Sequence, residues 1–252
     1  MRFARLAGLS GIGFVLLLLG GNLLLVSAGF PDPSAATAPD EIASAVADAS
    51  AALRRTSTLL PAAWLLATIF AAGVFTALRR HDRTTGDGWA VVGLAGILMQ
   101  CVAFAAVGAS RLAVAAAATH DPGAVAGLWA LHNALFGFNQ VFLATALLGL
   151  SVSGRRAGLV ARWHAAVGAA GAALLFLSAT TSPYGVDGDN PFALAGLIGW
   201  LLWLVWIVAY SLRLIRDVDP PTGDTDPSAT PATASGTTTT TSGAPATTPG
   251  AP

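Results

Sequence analysis

Six stretches of the chain carry apolar residues almost without interruption, and short polar segments rich in turn formers divide them. The stretches run approximately from Leu6 to Ala28, Leu59 to Leu78, Trp89 to Ala109, Ala124 to Val152, Trp163 to Thr181 and Phe192 to Leu212. Each matches the about 20 residues a helix needs to cross roughly 30 Å of hydrocarbon at about 1.5 Å per residue. None contains Asp, Glu, Lys or Arg, each of which costs about 2.5 to 3.5 kcal/mol at the centre of an inserted helix. The pattern predicts an all-α fold, a six-helix transmembrane bundle over residues 1–216. The expected breaks are Arg79-Arg80-His81-Asp82-Arg83, His120-Asp121-Pro122-Gly123, Gly154-Arg155-Arg156 and Ser182-Pro183-Tyr184-Gly185, which combine charges with turn formers.

Composition changes this picture only by excluding alternatives. Of 252 residues, 10% are charged and 54% are hydrophobic, against about 25% charged in a soluble domain. A formal net charge of +0 removes nucleic acid as a natural partner, because phosphate binding needs a basic face. The single cysteine, Cys101, excludes an intrachain disulfide and a cysteine-built metal site; within a span it reads as an inert small hydrophobe. All thirteen basic residues are arginine, a bias to which no function attaches.

Arginine does orient the chain. With the N-terminus inside, Arg2, Arg5, Arg79, Arg80, Arg83, Arg155, Arg156, Arg162, Arg213 and Arg216 fall inside, and only Arg54, Arg55 and Arg111 fall outside. The positive-inside rule then puts both termini in the cytoplasm of a cell-membrane protein. Trp89, Trp163 and Tyr210 lie at predicted inner ends, where amphipathic rings favour the headgroup zone. Arg2 and Arg5, an apolar run and then Val26-Ser27-Ala28 also match a secretory signal, but the run exceeds a typical signal core, so a retained helix is expected.

Outside the spans, Ile42, Val46, Ala49 and Leu53 recur at helical spacing between acidic Asp40 and Glu41 and basic Arg54 and Arg55. This predicts a short amphipathic extracytoplasmic helix that packs on the bundle or lies in the interface, with a lid over an outward cavity as the alternative. Thr37 is placed to cap it, and Pro61 suits the first turn of the second span. Residues 217–252, rich in Thr, Pro, Ala, Ser and Gly, have too few apolar anchors to repay the entropy of folding and predict a disordered cytoplasmic tail.

Chemistry concentrates on the fourth span. At about 100° per residue, His132, Asn133, Asn139 and Gln140 share an arc of about 120° with Phe136. Lipid would leave these donors unpaired, so the arc should face the bundle interior. His132 lies about 12 Å from the outer end of its span, and Gln100 and Asn22 lie at similar depth in theirs. The six side chains therefore mark either a set of helix-to-helix hydrogen bonds or a polar cavity open to the outside, with His132 as its one titratable group. His164 lies about 16 Å in depth from His132, so the pair cannot clamp one haem. Asp187-Gly188-Asp189-Asn190 lacks the later acidic ligand of a calcium loop and reads as a turn. Trp200, Trp203, Trp206 and Tyr210 form a stripe on the sixth span that reads as lipid-facing or packing surface. Gly93 with Gly96, Gly168 with Gly171, and Gly196 with Gly199 offer small surfaces for close helix approach.

Leu131-His132-Asn133, Leu147-Leu148-Gly149, Gly158-Leu159-Val160-Ala161-Arg162-Trp163 leading into Gly168, and the opening Arg5-Leu6-Ala7-Gly8-Leu9 resemble a bacterial multi-pass family catalogued as domain of unknown function 4386. The pattern has Ala161 where a proline is expected before the Arg-Trp pair. The resemblance implies a six-helix membrane fold and no activity. No catalytic constellation, metal site or cofactor is expected. Two readings stand: a non-enzymatic membrane component, or a small-solute permease with an outward polar cavity around His132. The expected partners are the lipid bilayer and either a membrane protein or a second copy of the chain.

Overall fold

The computed structural model describes residues 3–33, 38–185 and 192–216. Among them are seven α-helices: α1 (Phe3–Ser27), α2 (Pro39–Asp48), α3 (Ser50–Thr85), α4 (Trp89–His120), α5 (Val125–Arg156), α6 (Arg162–Thr181) and α7 (Ala193–Arg216). All but α2 are long and apolar enough to cross a membrane. The long helices form a ring in chain order: α1 packs on α3, then each on the next through α4, α5, α6 and α7, and α7 returns to α1. Helices α3, α5 and α7 also touch one another across the middle. Short connections make ring neighbours antiparallel, so the start of α1 and the end of α7 share what we call the terminal face. The opposite end is the far face.

Helix ends depart from the windows where polar residues continue a helix instead of breaking it. Helix α3 runs through Arg79-Arg80-His81-Asp82-Arg83 and stops only at Gly86, whose φ of 73° and N–H bond to the Asp82 carbonyl make a left-handed C-cap. Arginine is a good helix former, and nothing in that run forbids α geometry. At 36 residues, α3 is about 54 Å long and outreaches the hydrocarbon at both ends. Pro61 consequently lies inside α3, not in its first turn, and its missing N–H deprives the Ser57 carbonyl of the usual helical donor. Helix α4 continues past Ala109 to His120, which moves Arg111 from an expected loop onto a helix.

The expected amphipathic helix forms as α2, but it ends before Ala49; Leu53 belongs to α3. Ile42 and Val46 of α2 pack against Val114 and Ala117 of α4 and against Val125 and Trp129 of α5, so α2 covers a flank of the bundle. Thr37, the Asp187–Asn190 turn and the tail from residue 217 lie outside the described residues.

Glycine and alanine set how closely the helices meet. A Cβ on Gly96 would lie 2.5 Å from the Ala146 nitrogen and 2.8 Å from its Cα, and one on Gly149 would lie 2.7 Å from the Gly93 Cα. The α4–α5 backbones therefore touch, as small-residue surfaces permit when no hydrophobic force separates helix from lipid. Gly8 lies similarly against Ser211 and Ile215, joining α1 to α7. The terminal half is otherwise filled by Phe70, Leu147, Leu150, Trp206 and Tyr210. Trp206 Nε1 donates to Ser151 Oγ at 2.9 Å, and Tyr210 OH donates to the Leu150 carbonyl at 3.3 Å, so the inner part of the tryptophan stripe is packing surface.

Candidate functional site

The far half of the ring is hollow. A cavity of about 480 Å³ lies between the far portions of α1, α3, α4, α5, α6 and α7, and the connections at that face contribute Asp32, Pro33 and Gly185 to its lining. Its walls are mostly apolar, with Leu17, Leu60, Phe104, Leu143, Trp200 and Trp203 among them. The volume is within the about 300–1,000 Å³ of small-molecule sites, which combine apolar walls with a few placed polar groups.

Five of the six side chains singled out in the sequence line this cavity: Asn22, Gln100, Asn133, Asn139 and Gln140. Asn139, Gln100 and Asn133 are 3%, 7% and 7% exposed, and so are held away from lipid. Asn22 Nδ2 donates to the Leu18 carbonyl of its own helix at 2.8 Å. Gln140 reaches toward α7, where a Cβ on Gly196 would lie 2.9 Å from its Oε1.

His132 is not on the lining. Its ring is fully buried between α4 and α5, with Trp129 at 5.1 Å and Phe136 at 6.2 Å between ring centroids. Its Nδ1 is 3.1 Å from Ser110 Oγ, which itself donates to the Val107 carbonyl at 2.8 Å. The serine proton being committed, hydrogen-bond logic assigns the Nδ1–H tautomer to His132, with Nε2 making no hydrogen bond among the described residues. Helical angle fixed the direction in which His132 points; it did not fix whether a neighbouring helix or a void would occupy that direction.

Sequence reasoning missed Arg111 and Trp64 on the cavity wall. Arg111 was assigned to a loop because the window ended at Ala109, yet no Gly, Pro, Asn or Asp stands between Gly108 and Asp121 to end the helix. Its guanidinium carbon lies 5.5 Å from the Phe30 ring centroid, a cation–π contact. Arg111 Nε, Trp64 Nε1, Asn139 Oδ1 and Gln140 Oε1 are buried and make no hydrogen bond among the described residues. Each such group costs about 1–3 kcal/mol when left unpaired, so the lining presents both donors and acceptors to whatever enters.

Phe14, Gln100, Leu143 and Trp203 form the floor, with Phe14 and Trp203 meeting edge to face at 5.6 Å. The same four side chains roof a second void of about 20 Å³ beneath. His164, on the other side of this floor, is 3.1 Å from the Trp206 carbonyl through Nε2 and packs on Trp206 and Tyr210. Among the described residues, no group of three His, Cys, Asp or Glu side chains comes together to hold a metal ion.

The terminal half carries a second buried polar site that the sequence did not signal. Asp82, 5% exposed, accepts from Ser153 Oγ at 2.6 Å and from the Ala90 backbone N–H at 2.7 Å. It caps the start of α4, where Gly88 offers no side chain. Nearby, Arg156 Nη1 is 2.7 Å from Asp87 Oδ1. That guanidinium holds the Asp87 carboxyl below its ordinary value.

A closed ring of six long apolar helices, hollow at one end, is the fold of a multi-pass membrane protein. The chain belongs to the family described as Domain of unknown function (DUF4386), whose model matches residues 6–210. Neither a curated protein nor a solved structure matches it.

Proposed function

We propose that this chain is a non-enzymatic membrane component whose ring binds a small solute in the far-face cavity. The cavity carries this reading: its buried Trp64, Arg111, Asn139 and Gln140 atoms have no partner among the described residues, so an entering molecule meets unpaired donors and acceptors among apolar walls. The arginine asymmetry supports placing both termini in the cytoplasm, which opens the cavity to the outside. Helix α1 supports its own retention, since it completes the ring between α3 and α7.

A neutral amphiphile tests the binding. In nanodiscs of zwitterionic lipid, bromododecanol should quench the cavity tryptophans Trp64, Trp200 and Trp203 in a saturable way. A Cβ on Gly21 meets only Thr56 Cγ2 at 3.9 Å, so Gly21→Phe should fill the cavity and abolish the saturable component. Quenching that never saturates and ignores Gly21→Phe would remove the binding reading.

One observation favours a second reading, a small-solute permease. A single layer of side chains, Phe14, Gln100, Leu143 and Trp203, separates the cavity from the void beneath it. Release of a captured solute to the terminal side requires that layer to part. Uptake into proteoliposomes that Trp203→Ala changes, with binding retained, would support carriage; binding without flux in both proteins would leave only the component role.

A further inference from the structure

We infer that the cavity takes an anionic amphiphile, with Arg111 holding a carboxylate or phosphate head and the apolar chain descending toward Gln100. The inference rests on the binding reading above and adds the class of ligand. Among the described cavity-lining residues Arg111 is the one cation and Asp32 the one acid, and Asp32 is exposed, where water screens it. Arg111 has its Nε buried and unpartnered, and the described residues place no carboxylate in an ion pair with it. The Phe30 ring beside it steadies a guanidinium without neutralising it. A charge held this way in a low-dielectric wall favours an anion strongly, and a guanidinium fork matches the two oxygens of a carboxylate or phosphate.

The rest of the cavity argues for a chain behind the head. Arg111 and Gln100 are both on α4, eleven residues and about 16 Å apart along its axis. Between those levels the walls include Leu17, Leu60 and Phe104, with Leu143 and Trp203 at the bottom. A free inorganic anion would satisfy Arg111 and leave that apolar depth unused.

Bromododecanoate, bromododecanol and bromododecyltrimethylammonium, each titrated into the full chain in zwitterionic nanodiscs, separate the possibilities. The carboxylate should bind at least tenfold more tightly than the alcohol and the cation least, and Arg111→Gln should erase the difference between carboxylate and alcohol. Arg111→Lys, which keeps the charge, should retain part of it. Dodecyl phosphate should displace the carboxylate; displacement by inorganic phosphate alone at equal concentration would identify a free anion, not an amphiphile, as the occupant and overturn the lipid-like part of the inference. Equal binding of acid and alcohol in the unaltered protein would overturn the role of Arg111 while leaving the cavity a binding site. Failure of every probe to saturate would remove the binding reading, and the inference with it. The comparison of head groups uses the unaltered chain, so it stands even if Arg111→Gln does not fold.

Discussion

The two halves of this ring are built from the same six helices, yet one holds only a void of about 20 Å³ and the other encloses about 480 Å³. In the terminal half, Gly8, Gly11, Gly73, Gly93 and Gly96 lie where a Cβ would collide with a neighbouring helix. In the far half of α1 the glycines have room: Gly20 meets nothing within 4 Å and Gly21 meets Thr56 at 3.9 Å. Polar groups divide the same way. Asp82, Ser151, Ser153 and Tyr210 are paired with protein partners, with Ser211 Oγ the exception in the terminal half, whereas Trp64, Arg111, Asn139 and Gln140 keep buried atoms without a partner among the described residues. Apolar composition brings helices into a bilayer, but only small residues at matching heights close them onto one another.

The contrast breaks most readily at Gly96. Gly96→Leu would force backbone apart at the α4–α5 crossing and should cost about 3 kcal/mol or more, seen as a large fall in melting temperature in detergent. The same substitution at Gly21, in the hollow half, should have little effect on melting. Next is Asp82→Ala, which strands the Ser153 hydroxyl and the Ala90 N–H; a loss of about 2–3 kcal/mol is expected by denaturant titration, with Asp82→Asn recovering part of it. Tyr210→Phe removes one hydrogen bond and should cost about 1 kcal/mol. Gln140→Leu should be neutral or stabilising without ligand, because it replaces an amide whose buried oxygen is unpaired with an apolar group. A loss there as large as that of Asp82→Ala would show that the far half is structurally satisfied, and the contrast would fail.

The smallest effect concerns Asp87. Its carboxyl is held below the ordinary 3.8 by Arg156, so the pair's stabilisation is present above that value and fades as pH falls through the lowered one. Both groups are at the surface, where such pairs contribute little. Arg156→Ala should therefore move an acid-unfolding midpoint slightly upward in pH and leave neutral stability nearly unchanged; a marked loss at neutral pH would contradict a surface role.

The six spans were legible because each apolar run is long and bounded by charge. The polar face of α5 was legible too, since helical geometry alone puts Asn133, Asn139 and Gln140 on one arc. What was not legible depended on partners distant in sequence. His132 shares that arc, but Ser110, Trp129 and Phe136 close over it. Asp82 looked like a loop charge because its partners, Ala90 and Ser153, meet it only after α3 and α5 have packed. Arg111 was lost to an element boundary: hydropathy ends where the first charge falls, whereas a helix ends where its backbone is capped.

Accessibility of engineered cysteines to a membrane-impermeant thiol reagent tests the division of the ring most directly. In a Cys101→Ala background, Ser57→Cys, Asn139→Cys and Gln140→Cys should react from one side of the membrane only, and Ala146→Cys and Ser151→Cys should stay silent from both. Silence at all five positions, or reaction at the cavity and packed positions alike, would contradict a bundle that is hollow and open at its far face and sealed at its terminal one.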